Sequence, residues 1–317
     1  MEYLERIRAF IGRFLTLGPR EALRKALRGR LFSPEELLPF ARIDKAGLFT
    51  CDVEALHARD REKIRTTSFL MEASQVETSY PHHIEFESRI LRYGFLPATG
   101  VRQGLVLLLH GHDAFLHMGP LRPWTHFDVL APWDTFGYKR QGSWFWGEKG
   151  DNFTDRLIYK LLSSHLDEHP GRPWFAMGAS MGGFGALWHG IKYGARAIYT
   201  QCPQVDIARK IHDFGETEPT NPYRHLRNPE SGTLPDLLAL ANAASQLPPL
   251  MLIQNQFDFI NPFADHAWRL LDIYNNRRTW YGLRVHPSIG HGGDGSQEEA
   301  ELYFRSVLDK NPPPQFG

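Results

Sequence analysis

Trp174-Phe175-Ala176-Met177-Gly178-Ala179-Ser180-Met181-Gly182-Gly183-Phe184-Gly185 reads as a buried strand, a tight glycine turn and the start of a helix. Ser180 stands at the corner. Gly178 and Gly182 have no Cβ to clash where strand and helix fold back on each other, and a turn of that kind pushes the hydroxyl into the open. It also leaves the Met181 N–H at a helix N-terminus, where the dipole favours a developing negative charge. The surrounding chain must then supply parallel strands to hold the turn, a base, an acid to orient that base, and a second oxyanion donor.

Strands are legible on both sides of the turn. Upstream, Leu105-Val106-Leu107-Leu108-Leu109 is a continuous apolar run that suits a central strand covered on both faces, and Phe127 to Leu130 is a second. Downstream, Ala197 to Thr200, Leu250 to Ile253 and Leu283 to Val285 continue the series. From His82, the alternation of Ile84, Phe86, Ser88 and Ile90 with charged residues predicts one half-exposed strand at a sheet edge. Helices fit between the strands at Phe153 to Leu166, Gly183 to Tyr193, Pro262 to Tyr274 and Ser296 to Leu308. Alternating strands and helices imply a mostly parallel central sheet flanked by helices, with right-handed crossovers. Residues 203–249 break the rhythm with a segment rich in Pro, Asn and His and a helix at about Leu234 to Ala244, read as a cap over the strand ends.

Residues 1–79 read as a mostly helical N-terminal extension, and residues 80–317 as the α/β domain. Leu4, Ile7, Ile11 and Leu15 recur at helical spacing with arginines between them, which makes a basic amphipathic helix. Such a helix suits peripheral contact with an anionic membrane surface, or packing as an arm on the body or on a second subunit. Shorter helices are expected from Pro19, from the Ser33-Pro34 cap, and over Asp52 to Thr66.

Composition narrows the partners. Lys plus Arg equals Asp plus Glu at 36 each, so no net charge argues for nucleic acid. Two cysteines, Cys51 and Cys202, make no disulfide framework and fit a reducing compartment. The N-terminus has no signal-peptide core, and no apolar run approaches the roughly 18 residues of a membrane span. A cytoplasmic location is the resulting expectation; the oligomeric state is left open.

A serine hydroxyl is a poor nucleophile until a histidine takes its proton, and that histidine needs a carboxylate to hold its tautomer. His291, in Ser288-Ile289-Gly290-His291-Gly292-Gly293, follows a late strand, and its flanking glycines leave little packing to explain it. Asp258 follows the strand ending at Ile253; Asp265 and Asp206 are the alternative acids. The second oxyanion donor is expected at the N–H of His112 in His110-Gly111-His112, beside that of Met181. A metal site built from His110, His112, Asp113 and His117 lacks a fourth ligand at a telling spacing, so neither metal nor cofactor is expected. The aromatic stretch with Trp133, Tyr138, Trp144 and Trp146, together with His110, lies after strand ends near the serine. It suits sugar rings or an acyl chain, or equally the filling of the core under the cap.

The elbow, the order Ser180, Asp258, His291, and the His110-Gly111 turn together resemble the α/β-hydrolase superfamily, over roughly residues 80–308. More narrowly, Gly178-Ala179-Ser180-Met181-Gly182-Gly183 followed by Cys202-Pro203-Gln204 looks like hydrolase-fold proteins that accompany bacterial surface-polysaccharide and glycoprotein assembly. Those proteins usually carry serine where this chain has Cys202. The resemblance implies a serine-dependent acyl hydrolase acting on a small-molecule or glycan ester. An O-acyltransferase of surface-polysaccharide biosynthesis and a non-catalytic binding or assembly protein are the alternatives.

Overall fold

The computed structural model describes residues 41–43, 49–51, 80–112, 122–219 and 221–309. Within the N-terminal extension the described residues form an antiparallel pair, β1 (Ala41–Ile43) with β2 (Phe49–Cys51). The helices expected from residue 1, Pro19, Ser33 and Asp52 lie outside the described residues.

The predicted single edge strand from His82 is corrected to a hairpin, β3 (His82–Phe86) and β4 (Arg89–Leu96). Glu87 and Ser88, at φ 51° and 59°, form its two-residue turn. Both central residues are left-handed, as the twist of a tight hairpin demands, although neither is the Asn or Gly that usually signals it. A two-residue loop leaves the period of two unbroken, so the alternation ran through the turn unseen.

The series continues as β5 (Gly104–Leu109), β6 (Phe127–Trp133), α1 (Phe153–Asp167), β7 (Trp174–Ala179), α2 (Met181–Lys192) and β8 (Ile198–Gln201). It ends with α3 (Ile207–Asp213), α4 (Leu237–Ala243), β9 (Leu250–Phe257), α5 (Ala267–Asn276), β10 (Tyr281–Ile289) and α6 (Gln297–Asp309). Eight strands make one sheet in the order β10-β9-β8-β7-β5-β6-β4-β3. Only the β3–β4 and β4–β6 pairs are antiparallel. From β5 the chain steps outward to β6, then returns to β7 on the other side of β5. Ligand crevices open at the carboxyl ends of strands where the order reverses in this way.

Successive residues of β5 face opposite layers, as the pleat requires. Leu105, Leu107 and Leu109 join the core under α1, α2, α4 and α5, where Leu157, Leu161, Phe184, Leu187, Leu237 and Leu270 are buried. Val106 faces the other layer with Phe127, Phe175, Tyr199 and Phe304 of α6. Burying side chains of this size stabilises by roughly 1.5–3 kcal/mol each, so these alternating rows hold the strand ends in register. Helix α6 starts on a reciprocal cap in which Ser296 Oγ accepts from Glu299 N–H and the Glu299 carboxylate accepts from Ser296 N–H.

The helix predicted from Pro262 begins later, at Ala267, because residues 262–266 close a separate turn in which Asp265 N–H and His266 N–H both donate to the Pro262 carbonyl at 3.0 Å. Within residues 203–249, α4 packs against α2 and α5, with Leu237 and Ala241 fully buried, and so belongs to the helical layer. Gln204 and Tyr223 reach towards the strand ends, bonding to Trp144 Nε1 and to each other. Among the described residues, no helix is long and apolar enough to cross a membrane.

Candidate active site

Ser180 takes φ 56° and ψ −117° between β7 and α2, a left-handed corner that a side chain occupies only under constraint. The constraint is visible in the glycines. A Cβ on Gly178 would collide with the Gly182 carbonyl, and a Cβ on Gly182 would collide with the carbonyls of Leu109 and His110 at the end of β5. The turn is tied down by Ser180 N–H to Gln201 O (2.9 Å), and by Phe184 N–H and Gln204 N–H to Ser180 O (3.1 and 3.3 Å). Ser180 keeps part of its surface in solvent. Met181 opens α2, so its N–H has no intrahelical acceptor.

His291 and Asp258 meet from different strand ends. His291 Nδ1 lies 2.9 Å from Asp258 Oδ2 and 3.1 Å from Oδ1, with both side chains buried. The Asp258 carboxylate also accepts Ile260 N–H at 2.9 Å and Asn261 N–H at 2.8 Å. Gly290 and Gly292, at φ 101° and 146°, let the chain bend around His291. The bend is pinned to β9 by Gly290 N–H to Phe257 O and by Asn255 N–H to Gly292 O, both 3.0 Å. Burial draws the His291 pKa down, but the Asp258 carboxylate and the Cys202 sulfur outweigh it and hold the imidazole well above the ordinary histidine value.

The two alternative acids are engaged elsewhere. Asp206 caps α3 through Arg209 N–H and pairs with Arg269, and Asp265 pairs with Arg209 at 2.9 Å.

His110 and His112 follow β5, and the collision predicted for a Gly182 Cβ shows how closely this strand end approaches the elbow. His110 Nε2 accepts Asp134 N–H at 2.9 Å and its Nδ1–H donates to Gly111 O at 2.8 Å. Both ring nitrogens are thus used inside the fold. Burial lowers its pKa to about 4, and burial together with His110 lowers His112 to about 4. Both are neutral at pH 7, so neither ring brings a positive charge to an oxyanion, and the donor expected from sequence is the His112 backbone N–H. The residues Asp113 and His117 lie outside the described ones.

The aromatic stretch fills the core more than it lines a surface. Trp133, Trp144 and Trp146 are buried, and Tyr138 is partly buried against His225. Trp144 stacks on the His112 ring at 5.3 Å, and Trp133 on Tyr80 at 5.1 Å. Asp134, which nothing in the sequence singled out, organises this loop. Its buried carboxylate accepts Ser143 N–H and Phe145 N–H, each at 2.7 Å, and Phe136 N–H at 3.2 Å. Burial nevertheless raises its pKa above the usual carboxylate value. Phe257, beside Asp258 and half exposed, is an apolar side chain that sequence reading also passed over.

Two further groups join the His291–Asp258 pair: Cys202, which the sequence marked only as a cysteine where the resembling proteins usually carry serine, and Asn261, which it did not mark as a functional group. Cys202 Sγ lies 3.8 Å from His291 Nε2, on the far side of the ring from Asp258. Asn261 joins the two sides, donating N–H to Asp258 Oδ1 and Nδ2–H to the Cys202 carbonyl at 2.8 Å. No hydrogen bond joins Ser180 Oγ to His291 among the described residues. Cys202, Asp258 and His291 are also the one group among the described residues with three ligand atoms within 4.8 Å of one another. Asp258 and Cys202 face opposite nitrogens of the imidazole, so one ion could not use all three while the Nδ1–Asp258 bond stands. The arrangement suits proton transfer better than metal binding.

No family model and no curated protein matches the sequence. Solved structures do. Acylaminoacyl peptidase of Pyrococcus horikoshii in two crystal forms matches at 15% and 14% identity with TM-scores of 0.50 and 0.51, over 72% of this chain and 40% of that one. The capsule O-acetyltransferase of Neisseria meningitidis serogroup A matches at 16% identity and a TM-score of 0.49, over 72% of this chain and 94% of that one. This chain thus spans less than half the length of the peptidase. Similarity at these identities is similarity of fold, and the fold is that of the α/β hydrolases.

Proposed function

We propose that the protein is a serine-dependent acyl hydrolase that works through an acyl-enzyme, with an ester of a small molecule or a glycan as substrate. The observation that carries this reading is the left-handed elbow serine at a helix N-terminus, on the same sheet edge as a buried His–Asp pair bonded at 2.9 Å. Ser180 Oγ attacks the ester carbonyl while His291 Nε2 takes its proton; Asp258 holds the Nδ1 tautomer and stabilises the imidazolium. The N–H groups of Met181 and His112 hold the tetrahedral oxyanion, each typically worth about 3 kcal/mol in such sites. His291 then gives its proton to the leaving alcohol, and the acyl group passes from Ser180 to water. Hydroxyl-to-imidazole contacts are often long without substrate, so the open Ser180–His291 arrangement is compatible with this role.

A fluorophosphonate probe tests the reading. Wild type becomes labelled and hydrolyses p-nitrophenyl acetate, and Ser180→Ala does neither. Added sugar alcohols during turnover distinguish hydrolysis from O-acyl transfer by the appearance of acylated sugar. A folded wild type that takes no label would replace the enzyme by a binding or assembly protein on the same fold.

A further inference from the structure

Cys202 has no part in the mechanism above, yet it is held as tightly as the triad. It directly follows β8 at φ 38° and is buried, 2% exposed. Its N–H donates to Ile253 O at 2.8 Å, and its carbonyl accepts Asn261 Nδ2–H at 2.8 Å. The asparagine that donates to the Asp258 carboxylate therefore also holds the backbone that carries the thiol, and the two groups lie one on each side of the imidazole. Asp258 faces Nδ1, and Cys202 Sγ faces Nε2 at 3.8 Å. Each N–H of an imidazolium thus has an acceptor.

We propose that Cys202 is a positioning residue for the base: its sulfur accepts Nε2–H of the protonated His291 and holds the ring in reserve until it turns to Ser180. The inference rests on the serine-hydrolase reading above. Nε2 is the atom that must take the serine proton, and it is free to do so only after the proton it shares with the sulfur has left for solvent. Cys202 therefore sets the pH at which the base becomes available, while Asp258 keeps the ring's other edge in place. Among the described residues, a further titratable group facing His291 is His266 at the start of α5, faced in turn by Lys210, Arg209 and Arg269. His266 Nδ1 accepts Val205 N–H and Asp206 N–H at 3.1 and 3.2 Å, and its burial keeps it neutral, so it puts no charge beside the ring at neutral pH.

The sulfur is placed for this work and not for attack on a substrate. Pro203 follows it and has no N–H to offer an oxyanion, and α3 begins only at Ile207.

The test compares wild type, Cys202→Ala and Cys202→Ser by NMR titration of the His291 imidazole, assigned with His291→Gln, and by the pH dependence of fluorophosphonate labelling. Both Cys202 variants should move the His291 midpoint to lower pH, since neither keeps the sulfur that accepts Nε2–H. The acid limb of labelling should move with it, so that labelling below the wild-type limb becomes faster. Cys202→Ser, which keeps a hydrogen-bonding group beside Nε2, should retain more of the plateau rate than Cys202→Ala. An unchanged midpoint in variants that melt like wild type overturns the proposal while leaving Ser180 as the nucleophile. A wild type that takes no fluorophosphonate overturns the serine reading, and the NMR midpoint still decides the role of Cys202. Acylation of Cys202 by substrate, trapped as a thioester, overturns both.

Discussion

Ser180 directly follows β7 and Cys202 directly follows β8, neighbouring parallel strands, and each holds a left-handed backbone at φ 56° and 38°. Their surroundings differ in every respect that matters for attack on a carbonyl. Ser180 is part exposed, flanked by glycines that admit the sharp turn, and followed at once by the N-terminus of α2. Cys202 is buried and followed by a proline, with Asp206 occupying the N-terminus of the next helix. The intrinsically better nucleophile thus has the worse position. Oxyanion donors and access favour attack at the Ser180 corner, whereas the thiol lies against the His291 imidazole.

The contrast is broken most sharply at the serine. Ser180→Ala should lower ester hydrolysis by on the order of 10⁴- to 10⁶-fold, whereas Cys202→Ala should lower it far less. Equal losses in steady-state assays would erase the distinction between the two turns. Asp258→Asn should lower kcat by about 10⁴-fold, because an amide favours the wrong tautomer of His291. A loss of comparable size in Asp206→Asn, whose carboxylate caps α3, would move the acid to the other strand end.

The elbow itself predicts a smaller effect, on stability as well as rate. Gly182→Ala drives a methyl into the carbonyls of Leu109 and His110, and such overpacking typically costs about 1–3 kcal/mol. Thermal melting should show a fall of several degrees. An unchanged melting temperature would mean that β5 and α2 are not pressed together as described.

The mildest test is the acid limb of kcat/KM. Asp258 and Cys202 hold the folded-state pKa of His291 above its ordinary value of 6.5, so the base is protonated below that raised pKa and gains function as pH rises through it. The limb should therefore lie on the alkaline side of 6.5. A limb at or below the ordinary histidine value would deny both neighbours their influence.

Asp134 shows how differently the features of this molecule could be read in advance. Its carboxylate shapes the whole turn from Phe136 to Phe145, yet an Asp after a strand is too common to announce that role. The hairpin turn at Glu87 and Ser88 was hidden for a related reason, since its conformation is imposed by strand pairing and not by turn-forming residues. Of the aromatic side chains read as substrate contacts or core, Trp144 and Trp146 proved buried, a distinction that depends on what packs above them.

What the amino-acid sequence determined by itself was the elbow, the parallel strands around it, and a serine followed by His291 with three candidate acids, Asp206, Asp258 and Asp265, between them. These are local demands: a glycine where a Cβ cannot fit, and a period of two where a strand is covered. Only the tertiary structure decided that Asp258 and not Asp206 or Asp265 reaches His291, and that Cys202 lies against its other nitrogen. Those contacts join residues 33 and 89 positions apart, and they follow from which strand ends lie side by side in the sheet.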